Sequence, residues 1–189
     1  INKYYILDLS PENSFVRYAV ERGHTVFMVS WRNVPPAMGR ATWDDYLAHG
    51  VIRALAVAQE ICGVDHVNAL GFCVGGTLLG AALAVLRAKG DESVASLTLL
   101  ATMLDFSDTG ELSVFVDEPY VSQREREFAA GGVLHGRELA VTFASLSAND
   151  LIWNYVVNNY LKGGTPEPFD LLYWNADSTN LPGTMYAYY

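Results

Sequence analysis

One of the two cysteines is flanked by glycines at a spacing that suits nucleophilic catalysis. Residues 71–75 read Gly-Phe-Cys-Val-Gly, with Cys73 at the centre and Gly76 directly after. An apolar stretch precedes the string and a helix-like stretch follows it, which is the setting of a nucleophile elbow, a sharp strand-to-helix turn that exposes its central side chain. Side chains at Gly71 and Gly75 would crowd such a turn, and Gly76 lets the helix approach the strand closely.

The same turn favours thiolate chemistry. Cys73 would lie at a helix N-terminus, where the dipole stabilises negative charge and the free amide of Val74 can bind an oxyanion. The opposing interpretation is that Cys73 is a small hydrophobe, as free cysteines often are. We interpret Cys62 in that second way, as a buried structural residue that ends a helix beside Gly63. For Cys73 the glycine context favours the nucleophile.

A nucleophile of this kind needs a base, and in elbow enzymes the histidine follows the nucleophile along the chain. Three of the four histidines precede Cys73, and only His135 follows it. His135 lies in a glycine-rich stretch where the base is not expected. Two hypotheses follow: the sequence is an internal piece of a longer enzyme, or it is not a catalyst of this type. The start at Ile1, in the middle of a pattern, favours the piece.

Other polar and aromatic residues are weaker candidates. Asp105 and Asp108 could form a carboxylate pair, but loop capping is the favoured interpretation. Asp8 follows an apolar run and could accept a hydrogen bond at a strand end or belong to a site. Several aromatic residues could line an apolar channel, although packing in a core or an interface is favoured: Trp153, Trp174, Tyr186, Tyr188 and Tyr189.

Composition limits the function classes. The sequence has 189 residues, of which 51% are hydrophobic and 17% charged, and this indicates a globular chain. A net charge of −9 argues against a nucleic-acid surface. Two cysteines do not suggest a disulfide framework, so a reducing compartment is expected. We find no zinc-ligand spacing and no apolar run long enough to span a membrane.

Apolar runs and helical periodicity alternate over the first hundred residues, which predicts an α/β fold with a parallel sheet. After Leu104 the composition becomes richer in aromatic residues. We therefore predict a core part at 1–104, which includes the elbow, and a cap at 105–189. Residues 151–161 could be helix or strand. The predicted elements are a helix capped by Ser10, a strand at His24–Ser30, a helix from Thr42 to Gly63, a strand at Val67–Leu70, a helix at Thr77–Leu86 and a strand at Val94–Ala101.

Seven segments in order resemble the poly(3-hydroxyalkanoate) synthases, and above all their single-subunit class I. No single segment is specific to this family, but the seven in this order over essentially the whole chain are specific to it. The segments are Ile1–Leu9, His24–Asn33, Thr42–Tyr46, Leu70–Thr77, Leu104–Gly110, Asn149–Lys162 and Pro168–Pro182.

The resemblance implies an α/β-hydrolase-type parallel sheet with helices on both faces, followed by an inserted cap, with an incomplete core in this chain. It implies an acyltransferase that polymerises (R)-3-hydroxyacyl-CoA, most simply 3-hydroxybutyryl-CoA, into polyester through an acyl thioester on Cys73. The amides of Val74 and Ile1 would form the oxyanion hole. The catalytic Asp and His would follow Tyr189, so these 189 residues alone are expected to be inactive.

The resemblance also implies the cofactors, the oligomeric state and the location of the enzyme. We expect no metal and no cofactor beyond the acyl-CoA substrate, a homodimer formed through the cap, and a cytoplasmic enzyme at the surface of polyester granules. Two alternatives stay open: a hydrolase with a cysteine nucleophile, such as a thioesterase or depolymerase, and a non-catalytic fragment or granule-associated partner. The preferred acyl length and the roles of Asp8, His135 and Trp174 are not defined by the sequence.

Overall fold

The computed structural model describes residues 4–146, 148–166, 173–174, 177 and 179–189. Helix α1 is Phe15–Glu21, after a 3-10 turn at Tyr4–Leu7. A second short 3-10 turn is Pro36–Met38. A long helical run, here called α2, then joins an α-helical start at Trp43–Asp45, a π-helical stretch at Tyr46–Ile52 and an α-helix at Arg53–Cys62. Gly63 ends this run in the left-handed conformation, with φ of 64°.

Two parallel strands with a helix between them carry the elbow. Strand β1 is Val67–Phe72, helix α3 is Val74–Ala88 and strand β2 is Val94–Leu100. The strands pair in register from Asn68 opposite Ser96 to Phe72 opposite Leu100. This confirms the predicted parallel β-α-β unit. Strand β1 and helix α3 extend beyond their predicted bounds, whereas β2 ends one residue before the predicted Ala101.

The second half of the chain is mainly helical. Its elements are a 3-10 helix at Gly110–Phe115, α4 at Glu118–Phe128, β3 at Val133–Leu134, α5 at Gly136–Leu146, π-helical stretches at Asn149–Trp153 and Val156–Leu161, β4 at Leu181–Pro182 and α6 at Gly183–Tyr188. The ambiguous residues 151–161 are therefore helical. Strands β3 and β4 pair antiparallel.

The core gathers side chains from both halves of the sequence. Met185 on α6 is 1% exposed and packs with Trp43, Tyr46 and Leu78 in one buried cluster. Tyr120 and Tyr186 join α4 to α6 through their hydroxyls, 2.8 Å apart. The division at residue 104 stays a prediction, but α6 brings the far end of the chain onto the helices that surround the elbow. No helix in the described part of the chain combines the length and the apolar character needed to cross a bilayer.

Two predictions about the first thirty residues are wrong. Ser14, not Ser10, caps α1: its hydroxyl accepts from the amide of Arg17 at 2.8 Å, while Ser10 accepts from Asn13 inside the preceding turn. The segment His24–Ser30 forms no strand and has no regular secondary structure. Residues 25–33 make no backbone hydrogen bond with a described residue, so the apolar pattern lacks the partner that would convert it into sheet.

The predicted cap at the start of α2 is confirmed, and it makes the stability of the protein depend on pH. Thr42 accepts from the amide of Asp45 at 3.2 Å, and Asp45 accepts from the amide of Thr42 at 2.9 Å. The pKa of Asp45 is lowered, first by that backbone amide and then by the Thr42 hydroxyl. A lowered folded-state pKa adds stability above the unfolded value of about 4, and this stability is lost as the pH falls through the folded value.

We expect Thr42→Ala to lower the free energy of unfolding by about 1 kcal/mol, because the cap hydroxyl is lost. Asp45→Asn should also destabilise the protein at neutral pH. Its free energy of unfolding should then change less as the pH falls into the acid range. Urea unfolding between neutral pH and pH values below about 4 measures both effects. Asp44→Asn is the matched control, because Asp44 lies in the same first turn without a role in the cap. An equal loss at Asp44 would show that only the helix dipole matters.

Candidate active site

Cys73 occupies the strained corner between β1 and α3. Its backbone has φ of 54° and ψ of −129°, and Ala101 is the only other described non-glycine residue with positive φ. The amide of Cys73 donates to the carbonyl of Leu100 at 2.9 Å, so the end of β2 holds the corner in place. Strain of about 1–3 kcal/mol persists only where the surroundings enforce it. The side chain is exposed, as a nucleophile must be.

Three glycines were predicted to permit the elbow, and the structure supports the predicted steric reason at two of them. A Cβ on Gly71 would lie 2.4 Å from the Cα of Gly76, and a Cβ on Gly76 would lie 1.9 Å from the Thr102 hydroxyl. At Gly75 the expected clash is wrong, because a Cβ there meets no described atom within 4 Å. Gly71 and Gly76 thus let the strand, the helix and the segment after β2 approach one another. The space beside Gly75 is open.

Of the two predicted oxyanion-hole donors, one lies among the described residues. Val74 is the first residue of α3, and its amide makes no backbone hydrogen bond with a described residue. The first amides of a helix have no acceptor in their own helix, so this N–H is available to an anion beside Cys73. The other predicted donor, Ile1, lies outside the described residues.

The prediction that Cys62 is buried is wrong. Cys62 is exposed at the last turn of α2, where the helix leaves the core. It nevertheless lacks the elbow, since it sits in ordinary helix rather than at a strained strand-to-helix corner. Exposure therefore does not separate the two thiols, whereas backbone geometry does.

The aspartates near strand ends have structural partners. The carboxylate of Asp105 accepts from the amide of Ser107, and that of Asp108 accepts from the amide of Gly110, each at 2.9 Å. The favoured interpretation of loop capping is confirmed. Asp8 accepts from the hydroxyl of Ser14, the residue that caps α1, and so serves the start of that helix.

His135 is placed away from the elbow. It is exposed before α5 and lines a cleft between α4, α5 and α6 together with Arg124, Arg137 and Tyr186. Cys73 does not line this cleft. Trp174 is half-buried, and its carbonyl accepts from the amide of Asp177 at 3.2 Å. His135 is therefore not among the residues that the fold brings to the nucleophile.

Sequence reasoning missed the neighbours that α3 and α6 bring to Cys73. Thr77, in the first turn of α3, is 8% exposed, donates its amide to the carbonyl of Cys73 and donates its hydroxyl to the carbonyl of Met103. The pKa of the Tyr189 phenol is raised, first by partial burial and then by the charge of Cys73, while Thr77 lowers it in part. The cluster of tyrosines at 186–189 was visible in the sequence, but not that one of them responds to the charge of residue 73.

The family comparison agrees with this geometry. Residues 7–189 match the family model described as alpha/beta hydrolase fold. The chain belongs to the alpha/beta hydrolase fold family, in which a strained nucleophile between a strand and a helix is the characteristic catalytic feature.

Within this class, the chain is similar to curated polyester polymerases. It is 60% identical to the poly(3-hydroxyalkanoate) polymerase subunit PhaC of Cupriavidus necator, 47% identical to the subunit of that name from Rhizobium meliloti and 43% identical to the poly(3-hydroxyalkanoate) polymerase of Methylorubrum extorquens. Each similarity covers 100% of this chain and 33%, 31% and 31% of the respective relative. The chain thus spans about a third of the length of the relatives it matches.

Proposed function

We propose that this chain is the nucleophile-bearing part of a polymerase that builds poly(3-hydroxyalkanoate) from (R)-3-hydroxyacyl-CoA. The observation that carries the proposal is the exposed, strained Cys73 at the start of α3. Relatives named poly(3-hydroxyalkanoate) polymerase at 43–60% identity supply the substrate class. A cysteine suits this reaction because its acyl thioester keeps the energy of the incoming acyl-CoA thioester.

The reaction begins when the thiolate of Cys73 attacks the thioester carbonyl. The resulting oxyanion lies against the amide of Val74 and a second donor, for which we propose Ile1. Each such donor typically contributes about 3 kcal/mol to stabilising the transition state. The bond to the coenzyme A sulfur then breaks, coenzyme A leaves as the thiol after taking up a proton, and the acyl group remains on Cys73.

Chain growth requires a base. The hydroxyl of a second 3-hydroxyacyl unit must lose its proton as its oxygen attacks the acyl thioester, and the ester forms while Cys73 is released as the thiolate. None of the four histidines forms a hydrogen bond or ion pair with Cys73 in the described part of the chain. We propose that the base is a histidine assisted by an aspartate, both supplied by the polymerase outside this chain.

The substrate and the product of the enzyme suggest its location, its cofactor requirement and its oligomeric state. We propose a cytoplasmic enzyme, active without a metal or an added cofactor, that stays at the surface of its insoluble polyester and dimerises through residues of the cap. In the described residues, no group of three or more His, Cys, Asp and Glu side chains is placed to hold a metal ion. Exposed apolar side chains on the second π-helical stretch are compatible with a polyester or protein surface: Val157, Tyr160 and Leu161.

The decisive experiment supplies 3-hydroxybutyryl-CoA to the intact polymerase that contains these residues. Released coenzyme A is measured by thiol capture, polymer by turbidity and free 3-hydroxybutyrate by chromatography. Mass spectrometry of the peptide that contains Cys73 detects the acyl thioester after rapid quenching. We expect many equivalents of coenzyme A per chain, matched by polymer, with the acyl group on Cys73.

Two outcomes would overturn this proposal. Stoichiometric free hydroxybutyrate without polymer would show that water is the acceptor and that the protein is a hydrolase. No acylation and no release of coenzyme A from a folded protein would show a non-catalytic polypeptide.

A further inference from the structure

The proposed reaction makes no use of the cleft between α4, α5 and α6. This cleft has a volume of about 530 Å³, within the range of small-molecule sites, and Cys73 does not line it. Tyr186 lines the cleft, whereas its neighbour Met185 belongs to the core cluster against which Val74 packs. The cleft and the elbow therefore lie on different faces of α6, and a helix with its side chains is about 10–12 Å wide.

Arg124 on α4 lines the cleft with part of its guanidinium already in use. Its two terminal nitrogens donate to the carboxylates of Glu127 at 2.9 Å and Glu138 at 2.7 Å. The guanidinium also lies over the rings of Tyr120 and Phe128, at 5.1 and 6.0 Å. The Nε of Arg124 is buried, and within the described residues it has no hydrogen-bond partner. A buried donor without an acceptor is costly, and a ligand oxygen would satisfy it.

The cleft offers further donors that no described residue uses. The hydroxyls of Tyr120 and Tyr186 lie 2.8 Å apart, and since one proton forms that bond, the pair has a second proton to donate. Arg137 and His135 are exposed where α5 begins, and both line the cleft. Neither side chain forms a hydrogen bond or an ion pair with a described residue. The guanidinium of Arg137 alone carries five N–H donors and a permanent positive charge.

The unused groups define the chemistry of a ligand. Among the described residues of the lining, Glu138 is the acidic one, and it is already paired with Arg124. We propose that the cleft is a binding site for a terminal phosphate group, with Arg137 as its main charged contact. The phenol pair and the Nε of Arg124 are the other two donors. A phosphate monoester is an anion with three strong acceptor oxygens, which match three separate donors, whereas a carboxylate has two.

Two sources can supply a phosphate of this kind. One is coenzyme A, which carries a phosphate monoester on its ribose at the end opposite to the thiol. The cleft lies across α6 from the elbow, so the pantetheine arm would have to pass around this one helix. The other source is free inorganic phosphate. The coenzyme A arm rests on the proposed function, whereas the phosphate site itself does not.

The test measures binding to the intact polymerase by isothermal titration calorimetry. The three probes are coenzyme A, 3′-dephospho-coenzyme A and inorganic phosphate. Should the phosphate belong to coenzyme A, Arg137→Gln is expected to weaken binding of coenzyme A about tenfold, because one charge-assisted hydrogen bond is lost, and to leave 3′-dephospho-coenzyme A unaffected. Should it be free phosphate, the tenfold loss falls on inorganic phosphate, and the two forms of coenzyme A bind alike.

Arg126→Gln is the matched control. Arg126 is an exposed residue of α4 that does not line the cleft, so its variant loses the same charge without touching the site. It should bind every probe as the wild type does. Tyr186→Phe keeps the ring and removes one hydroxyl of the phenol pair, and we expect about fivefold weaker binding of the same probe. Circular dichroism and thermal unfolding show that each variant is folded.

The results separate this site from the proposed function. The phosphate site is overturned if no probe binds the folded wild type, or if Arg137→Gln binds all three probes with wild-type affinity. An equal loss in Arg126→Gln would overturn it too, because general electrostatic attraction would then explain the binding. If phosphate binding depends on Arg137 while Cys73 accepts no acyl group in the quenched reaction, the site stands and the proposed function fails.

Discussion

In the intact polymerase proposed above, Cys73→Ala is expected to abolish release of coenzyme A from 3-hydroxybutyryl-CoA while the protein stays folded. Removing a covalent nucleophile typically lowers turnover by about 10⁴-fold or more, because the remaining groups cannot form the acyl intermediate. The fold should survive for two reasons. The side chain is exposed and contributes little packing, and the corner is held by its backbone, through the bond from the Cys73 amide to Leu100.

The measurement is thiol capture of coenzyme A alongside circular dichroism and a thermal melt. Cys62→Ala is the matched control, because Cys62 is equally a free, exposed thiol but lies in regular helix. It should retain most of the activity. Near wild-type turnover in Cys73→Ala would refute the assignment of the nucleophile, and an equally deep loss in Cys62→Ala would show that both thiols act.

Gly71→Ala should produce the largest loss of stability among conservative changes near the elbow. The new Cβ would stand 2.4 Å from the Cα of Gly76 and 2.9 Å from its nitrogen, and both atoms belong to backbone that cannot rotate away. Strand β1 and helix α3 must then separate, and the buried contacts of Leu78 behind them open. We expect a loss of about 3 kcal/mol or more, or no folded protein.

Gly75→Ala is the control within the same motif. Its Cβ meets no described atom within 4 Å, and alanine favours helix over glycine by about 1 kcal/mol at interior positions. Stability should therefore be unchanged or slightly higher. Urea unfolding of the two variants gives the comparison directly. Equal losses at both positions would show that the elbow is not packed as described. Lower activity in a stable Gly75→Ala protein would show that substrate occupies the open space.

Local chemistry explains what could be predicted from the sequence. The elbow depends on a short string from Gly71 to Gly76, and its effect is steric and local. The cap at Thr42 and the helix end at Gly63 are likewise set within a few residues, by a side-chain hydrogen bond and by a left-handed backbone. Parallel pairing of Val67–Phe72 with Val94–Leu100 followed from the helix between them, since such a crossover returns the chain to the same sheet.

Long-range packing decided the rest. His24–Ser30 has the residues of a strand, but a strand also needs a partner, and its own sequence does not provide one. The predicted crowding at Gly75 depended on what lies opposite that position, which local spacing does not specify. Tyr189 shows the same limit most clearly: the sequence marks it as one tyrosine of several. Only the return of α6 stacks its ring on Trp43, because such proximity depends on core contacts between residues more than a hundred positions apart.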